Sequence, residues 1–95
     1  MKKIKNIHPG EILLEEFLVP MGISMYRLSK ETFIPQTRIS EIIRGNRRIT
    51  ADTALRLSKF FGNSATFWLG LQNDYDIELE KELLSDILKE INRVA

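Results

Sequence analysis

Apolar residues recur along most of the chain at intervals of three and four positions, and prolines, glycines and hydroxyl-bearing residues interrupt the pattern at short distances. This periodicity is typical of amphipathic α-helices of about ten residues each. Ser24, Thr50 and Ser64 stand directly before three of these stretches, where a side-chain oxygen can accept hydrogen bonds from free backbone amides. The pattern therefore predicts an all-α fold.

The predicted helices have recognisable ends. Pro9 suits the first position of the first helix, and glycines follow the first, third and fourth helices, where they readily adopt the left-handed conformation of a helix end. The first four predicted helices span residues 9–18, 24–32, 35–44 and 50–61. Pro20 is expected to end the first of them, because proline cannot continue the hydrogen-bond ladder. A fifth helix is predicted after Ser64, and the pattern does not define its end near Asn73 and Asp74.

Residues 24–48 contain two short predicted helices joined by a tight turn. A basic loop, residues 45–48, follows the second of them. This arrangement is typical of a DNA-reading helix-turn-helix. Because successive helical residues advance by about 100°, Ile39, Ile42 and Ile43 define the inward face of the third helix. Its polar residues lie opposite or beside that face, so we predict a surface that reads a DNA groove. A face that is merely solvated is the alternative.

The polar side chains of that surface match the hydrogen-bonding groups of the major groove, since Gln can bond adenine, Arg guanine and Glu cytosine. The predicted base-reading residues are Gln36, Thr37, Arg38, Ser40 and Glu41. Phosphate contacts fix the docking register without carrying sequence information. The predicted phosphate contacts, at the helix end and in the basic loop, are Arg44, Arg47 and Arg48.

The distribution of charge supports this assignment. The chain has 95 residues, of which 43% are apolar and 28% charged. A chain of this size supports one modest core, so residues 1–95 are predicted to form a single domain. Residues 1–62 contain eleven Lys and Arg against six acids, whereas residues 74–95 contain three against seven. The basic first part is the expected nucleic-acid face.

Several classes of function find no support in the sequence. The chain has no cysteine, which excludes disulfides and thiolate zinc sites, and its apolar runs are too short to span a bilayer. His8 is the only histidine, Glu15 and Glu16 point in different directions on one helix, and no nucleophile stands beside a base. We therefore expect a cytoplasmic protein that is not an enzyme and uses no cofactor, metal or small-molecule substrate.

Four groups of residues form motifs. They are H-P-G-E-I-L at 8–13, R-I-S-E-I at 38–42, I-T-A-D-T-A-L-R-L at 49–57, and F-W-L at 67–69 with L-Q at 71–72 and Y-D at 75–76. Together they resemble the motifs of the HigA-type antitoxins, which belong to the XRE-like helix-turn-helix superfamily. The match spans about residues 6–77. It implies a five-helix lambda-repressor-like domain with an additional or extended C-terminal helix.

The resemblance also implies a function. It points to a homodimeric antitoxin that binds an inverted-repeat operator in its own promoter and represses transcription. It further implies that the protein neutralises a HigB-type toxin, an mRNA-cleaving ribonuclease of the RelE-like class. Two other functions stay open: a phage-type or metabolic helix-turn-helix repressor without a toxin partner, and a helical interaction protein that has lost DNA reading.

The predicted turn departs from the family's pattern at two positions. Thr32 stands where the family usually has an apolar residue. Phe33 occupies a position where glycine is common, and glycine adopts left-handed backbone conformations at little cost. We therefore expect a slightly re-angled turn between the second and third helices.

The end of the chain, from about residue 78 to residue 95, is predicted to form an amphipathic helical tail with an acidic outer face. Its apolar positions are Ile77, Leu84, Ile87, Leu88, Ile91 and Val94. Such a stripe can form the seam of a dimer, pack on the chain's own core, or contact the toxin. The residues predicted for a dimer interface are Trp68, Leu71, Tyr75, Leu84, Leu88 and Ile91.

Overall fold

The computed structural model describes residues 5–94, which form six helices. Helix α1 covers residues 9–21 in three segments, Pro9–Ile12, Leu13–Leu18 and Val19–Met21. The other helices are α2 Met25–Thr32, α3 Gln36–Ile43, α4 Ala51–Phe61, α5 Ala65–Leu83 and α6 Ser85–Glu90. The predicted all-α fold with an additional C-terminal helix is confirmed. The ends of the predicted domain, residues 1–4 and 95, lie outside the described residues.

One apolar core holds the first five helices together. α1 packs against α3 and α5, α2 packs against α3 and α4, and α4 packs against α5. The buried apolar residues are Leu13, Leu18, Leu28, Ile34, Ile39, Ile42, Ile49, Ala54, Leu57 and Trp68. The indole of Trp68 lies against Phe17 at a ring-centroid distance of 4.8 Å, and its Nε1 donates a hydrogen bond of 2.9 Å to Asn63. This core fixes the orientation of α3.

Helix α1 extends further than the sequence predicts. The proline at position 20 was expected to end it after Leu18, yet the helix continues to Met21. Residues Leu13–Leu18 wind as a π-helix, in which the Val19 amide donates to the Leu14 carbonyl. The wider turn makes room for the proline ring, which in a regular α-helix clashes with the carbonyl four residues earlier.

Side-chain caps fix the starts of two helices as predicted. The Ser24 hydroxyl accepts a hydrogen bond of 3.0 Å from the Arg27 amide at the start of α2. The Ser64 hydroxyl accepts one of the same length from the Phe67 amide at the start of α5. Thr50 occupies the cap position of α4, but its hydroxyl makes no capping hydrogen bond, so that detail of the prediction is wrong.

The C-terminal part of the chain is divided differently from the prediction. α5 runs without a break through residues 73 and 74 to Leu83, and the helix is interrupted only at Leu84 before α6 begins. Leu88 and Ile91 keep 45% and 65% of their surface exposed. The tail therefore does not pack back on its own core, which rules out one of the three alternatives for its apolar stripe. None of the helices among residues 5–94 is long and apolar enough to cross a membrane.

Candidate nucleic-acid interface

Helix α3 has one buried and one exposed face. Ile39 and Ile42 are buried in the core, whereas Gln36 and Thr37 in the first helical turn are exposed. Pro35 sits directly before the helix and has an extended backbone conformation. The residue before it is biased away from the helical region, so α2 and α3 remain separate helices. The orientation that the isoleucine spacing predicts for α3 is the one observed.

The turn between α2 and α3 is held by side chains from both sides. The Thr32 hydroxyl donates a hydrogen bond of 2.6 Å to the Leu28 carbonyl, which satisfies this polar group in its buried position. Phe33 adopts the left-handed conformation itself, with φ of 60°, and the residue is 82% exposed. Arg56 of α4 donates hydrogen bonds to the carbonyls of Thr32 and Phe33 at 3.2 and 3.0 Å. The turn therefore keeps a tight form without a glycine.

Three of the predicted DNA-binding arginines are engaged in ion pairs within the protein. Their pairs, with nitrogen to oxygen distances, are Arg38 with Asp52 at 3.1 Å, Arg47 with Glu41 at 2.7 Å, and Arg48 with Asp76 at 2.8 Å. Among residues 5–94, the exposed Arg44 makes no ion pair. Ser40 is half-buried beside these groups. Arg38, Arg47 and Arg48 line one surface depression together with Asp52 and Thr53.

The sequence interpretation missed Asp52, Asp76 and Arg56, and it did not foresee that Glu41 pairs with Arg47. Asp52 also accepts a hydrogen bond of 2.9 Å from Arg56, four residues further along α4. The hydrogen bond from Arg56, followed by its charge and by Arg38, lowers the pKa of Asp52 from its ordinary value. An acid and a base four residues apart on a helix are neighbours, so the spacing of these two residues was an available signal.

The start of α1 borders the same region. The Nδ1 atom of His8 accepts a hydrogen bond of 2.9 Å from the Gly10 amide, and the ring packs edge-on against Tyr75 at 4.9 Å. Burial lowers the pKa of His8, while the negative charges of Asp76 and Glu11 oppose this shift. Because the neutral imidazole is the form that accepts the hydrogen bond, His8 has a structural role. Residues 5–94 contain no group of three His, Asp or Glu able to hold a metal ion.

The residues predicted for a dimer interface fall into three groups. Trp68 is fully buried in the core of its own protomer, so its inclusion was wrong: an inaccessible indole cannot contact a second copy. Leu71 and Tyr75 are half-buried. The third group is exposed: Leu84 directly before α6, Leu88 within it and Ile91 directly after it. These three and the two half-buried residues remain available to a partner.

α2 and α3 are short helices joined by a tight turn, the start of α3 is exposed, and a basic loop follows α3. These features define a helix-turn-helix DNA-binding protein. Comparison with known proteins agrees. The helix-turn-helix family model matches residues 14–68. Virulence-associated protein I of Dichelobacter nodosus is 51% identical over 76 residues, which cover 80% of this chain and 70% of that protein.

Two solved structures make the relationship more specific. An addiction module antidote protein of the HigA family from Coxiella burnetii superposes with a TM-score of 0.88 and 46% identity, covering 95% of this chain and 99% of that one. Pseudomonas aeruginosa antitoxin HigA, solved with the higBA promoter, superposes with a TM-score of 0.89 and 35% identity. The match covers 96% of this chain and 100% of that one. The chain belongs to the helix-turn-helix family and, within it, to the HigA-type antitoxins. Its function is that of an antitoxin and transcriptional repressor.

Proposed function

We propose that α3 enters the major groove of an operator duplex with its N-terminal end first, so that Gln36 and Thr37 contact base edges. The orientation of α3 carries this proposal: its isoleucines are buried and its first turn is exposed. The N-terminal residues of the second helix contact bases in helix-turn-helix complexes. Glutamine can bond adenine through two hydrogen bonds, and threonine can serve several bases.

The neighbouring residues take two kinds of role in this proposal. Arg44, Arg47 and Arg48 contact phosphates and fix the register of the protein on the duplex. Arg38, Ser40 and Glu41 lie further along α3 and complete the reading surface. The half-buried Arg38 is already held by Asp52, so its guanidinium reaches the groove from a fixed position.

We further propose that the protein acts as a homodimer on an inverted repeat in the promoter of its own operon. The structure of the Pseudomonas aeruginosa neighbour with its promoter supports a promoter as the target. Two reading helices related by a two-fold axis would enter successive major grooves about 34–36 Å apart. The exposed leucines and isoleucine of the tail, Leu84, Leu88 and Ile91, supply an apolar seam for the second copy.

The proposed protein partner is a HigB-type toxin, an mRNA-cleaving ribonuclease. Membership of the HigA-type antitoxins supports this partner, and the excess of acids over bases in residues 74–95 suits a basic protein. Co-expression with a HigB-type ribonuclease tests it. A complex that suppresses mRNA cleavage is expected. Uninhibited cleavage, or no complex, would favour a repressor without a toxin.

Binding to the protein's own promoter duplex, compared with a scrambled duplex over a range of salt concentrations, tests the DNA function directly. We expect a large ratio of affinities for the two duplexes and two protomers per site. Affinity should also fall as salt rises, because bound arginines release counterions from the phosphates. Equal affinity for both duplexes would overturn the proposed operator function.

Substitutions of base-reading and of phosphate-contacting residues should have different effects on DNA binding. Gln36→Ala is expected to weaken operator binding by about 1–3 kcal/mol and to relax the preference at one base-pair position. Arg44→Ala should weaken binding to operator and scrambled duplex alike and reduce the salt slope by about one unit. Competition with single-base variants of the operator measures both effects. A uniform loss for Gln36→Ala on all duplexes would remove this residue from the base-reading set.

The dimer seam makes a separate prediction. Leu88→Lys places a charge on the apolar surface of α6 and is expected to shift the protein from dimer to monomer in analytical ultracentrifugation. Leu55→Lys is the matched control, because Leu55 of α4 is also exposed but lies outside the proposed seam. A dimer that survives Leu88→Lys would place the interface elsewhere.

A further inference from the structure

The L-Q and Y-D motifs join α5 to the basic loop through a chain of polar contacts. The Gln72 Oε1 atom accepts a hydrogen bond of 2.7 Å from the Ile49 amide, and its Nε2 donates one of 3.0 Å to Asp76 Oδ1. The other oxygen of Asp76 lies 2.8 Å from Nη2 of Arg48. The motif therefore places a carboxylate directly on an arginine that is proposed to contact phosphate.

The side chains of Asp76 and Arg48 differ in how exposed they are and in how firmly other contacts hold them. The Asp76 side chain is 31% exposed and accepts a hydrogen bond from the buried Gln72. The Arg48 side chain is 59% exposed and, among residues 5–94, its charged group has no other ion-pair partner. Arg48 can thus leave Asp76 by rotating its own side chain, whereas the carboxylate stays in place.

We propose that Asp76 competes with DNA phosphate for Arg48 and thereby sets the affinity of the protein for duplex DNA without contributing to its sequence preference. The proposal rests on the DNA-binding role given above. A phosphate that binds Arg48 must displace Asp76 or lie beside its negative charge, and either effect weakens binding. Because phosphates are alike on every duplex, the effect applies equally to operator and scrambled DNA.

The experiment compares two substitutions that remove the same charge from the same helix. Asp76→Asn removes the competitor and keeps an amide oxygen that can accept the hydrogen bond from Gln72. Asp74→Asn is the control, since the exposed Asp74 makes no ion pair among residues 5–94. Affinity for promoter and scrambled duplexes is measured for both variants, alone and combined with Arg48→Ala.

We expect Asp76→Asn to tighten binding to both duplexes by about two- to fivefold, the range of a partly exposed ion pair, and to leave their ratio unchanged. Asp74→Asn should give a smaller gain, and Arg48→Ala should abolish the difference between the two variants. An Asp76→Asn protein that matches Asp74→Asn, binds more weakly than wild type, or changes the ratio would overturn the proposal. Asp76→Thr, which also removes the carboxylate and carries a hydroxyl oxygen as an acceptor, replaces Asp76→Asn if the latter unfolds.

The same measurements separate this inference from the proposed operator function. The ratio of affinities for the wild-type protein tests operator recognition. The comparison of Asp76→Asn with Asp74→Asn tests competition for Arg48, and it can be read on the scrambled duplex alone. If the wild-type protein shows no preference for the promoter duplex, the operator proposal is overturned. The comparison of the two variants on scrambled duplex still tests the role of Asp76.

Discussion

Replacing Gly10 with alanine is expected to lower the free energy of unfolding by at least about 3 kcal/mol or to prevent folding. A Cβ atom at this position would lie 1.8 Å from the carbonyl oxygen of Ile42 and 2.9 Å from the Cα of Ile43. Both are backbone atoms at the end of α3, so no side-chain rotation relieves the clash. Urea denaturation of the variant and the wild-type protein measures the loss.

Gly70 provides the matched control for this substitution. It lies inside α5, and a Cβ atom there would meet nothing within 4 Å. Alanine is favoured over glycine in a helix by up to about 1 kcal/mol, so Gly70→Ala should keep or raise the stability. A Gly10→Ala protein as stable as the wild type would show that α1 and α3 do not approach this closely.

The contact at Gly10 links the H-P-G-E-I-L motif to DNA reading. Pro9 and His8 start α1, and the absence of a side chain at Gly10 lets that start lie directly on the end of α3. The exposed first turn of α3 is at the opposite end of the same short helix. The motif therefore acts on the reading surface through the position of α3, without itself lying among the predicted DNA contacts.

The features predicted correctly are those that neighbouring residues decide. The hydroxyl caps at Ser24 and Ser64 depend on amides three residues away. The buried and exposed faces of α3 follow from the spacing of Ile39 and Ile42 on one helix. Gly62 ends α4 with a positive φ that a side chain disfavours. Each of these signals lies within one or two helical turns.

The features missed depend on competition between local signals or on distant parts of the chain. Pro20 is a strong helix breaker, but the π-helical turn before it accommodates the ring. Asn73 and Asp74 have low helix propensity, yet they lie in the middle of α5. Trp68 shares its helix with apolar residues on more than one side, so periodicity could not separate core from interface.

The candidate site shows the same division. Exposure of Gln36 and Thr37 follows from the helix period, whereas Arg48 and Asp76 meet across 28 positions of sequence. That pair forms only because α5 packs beside the basic loop, and spacing along the chain cannot predict such a contact. The basic loop was recognised from its charges, but its ion pairs with Glu41 and Asp76 were not.

Replacing Gln72 with leucine is expected to lower the free energy of unfolding by about 1–3 kcal/mol, the cost of an unpaired buried amide. Gln72 is 2% exposed, and its Oε1 is the acceptor for the amide of the fully buried Ile49. Leucine has a similar volume and fills the space, so the loss comes from the missing hydrogen bond. Thermal or urea denaturation measures it.

The next residue of α5 is the control for that prediction. Asn73→Leu makes the same polar-to-apolar change at an exposed position, where substitutions usually change stability by less than about 0.5 kcal/mol. Because the Ile49 amide directly follows Arg48, losing its acceptor should also loosen the basic loop and weaken operator binding under conditions where the variant is folded. Equal stability of the two variants would mean that the Ile49 amide finds another acceptor. Unchanged operator binding by a folded Gln72→Leu protein would separate the position of the loop from the contacts of its arginines.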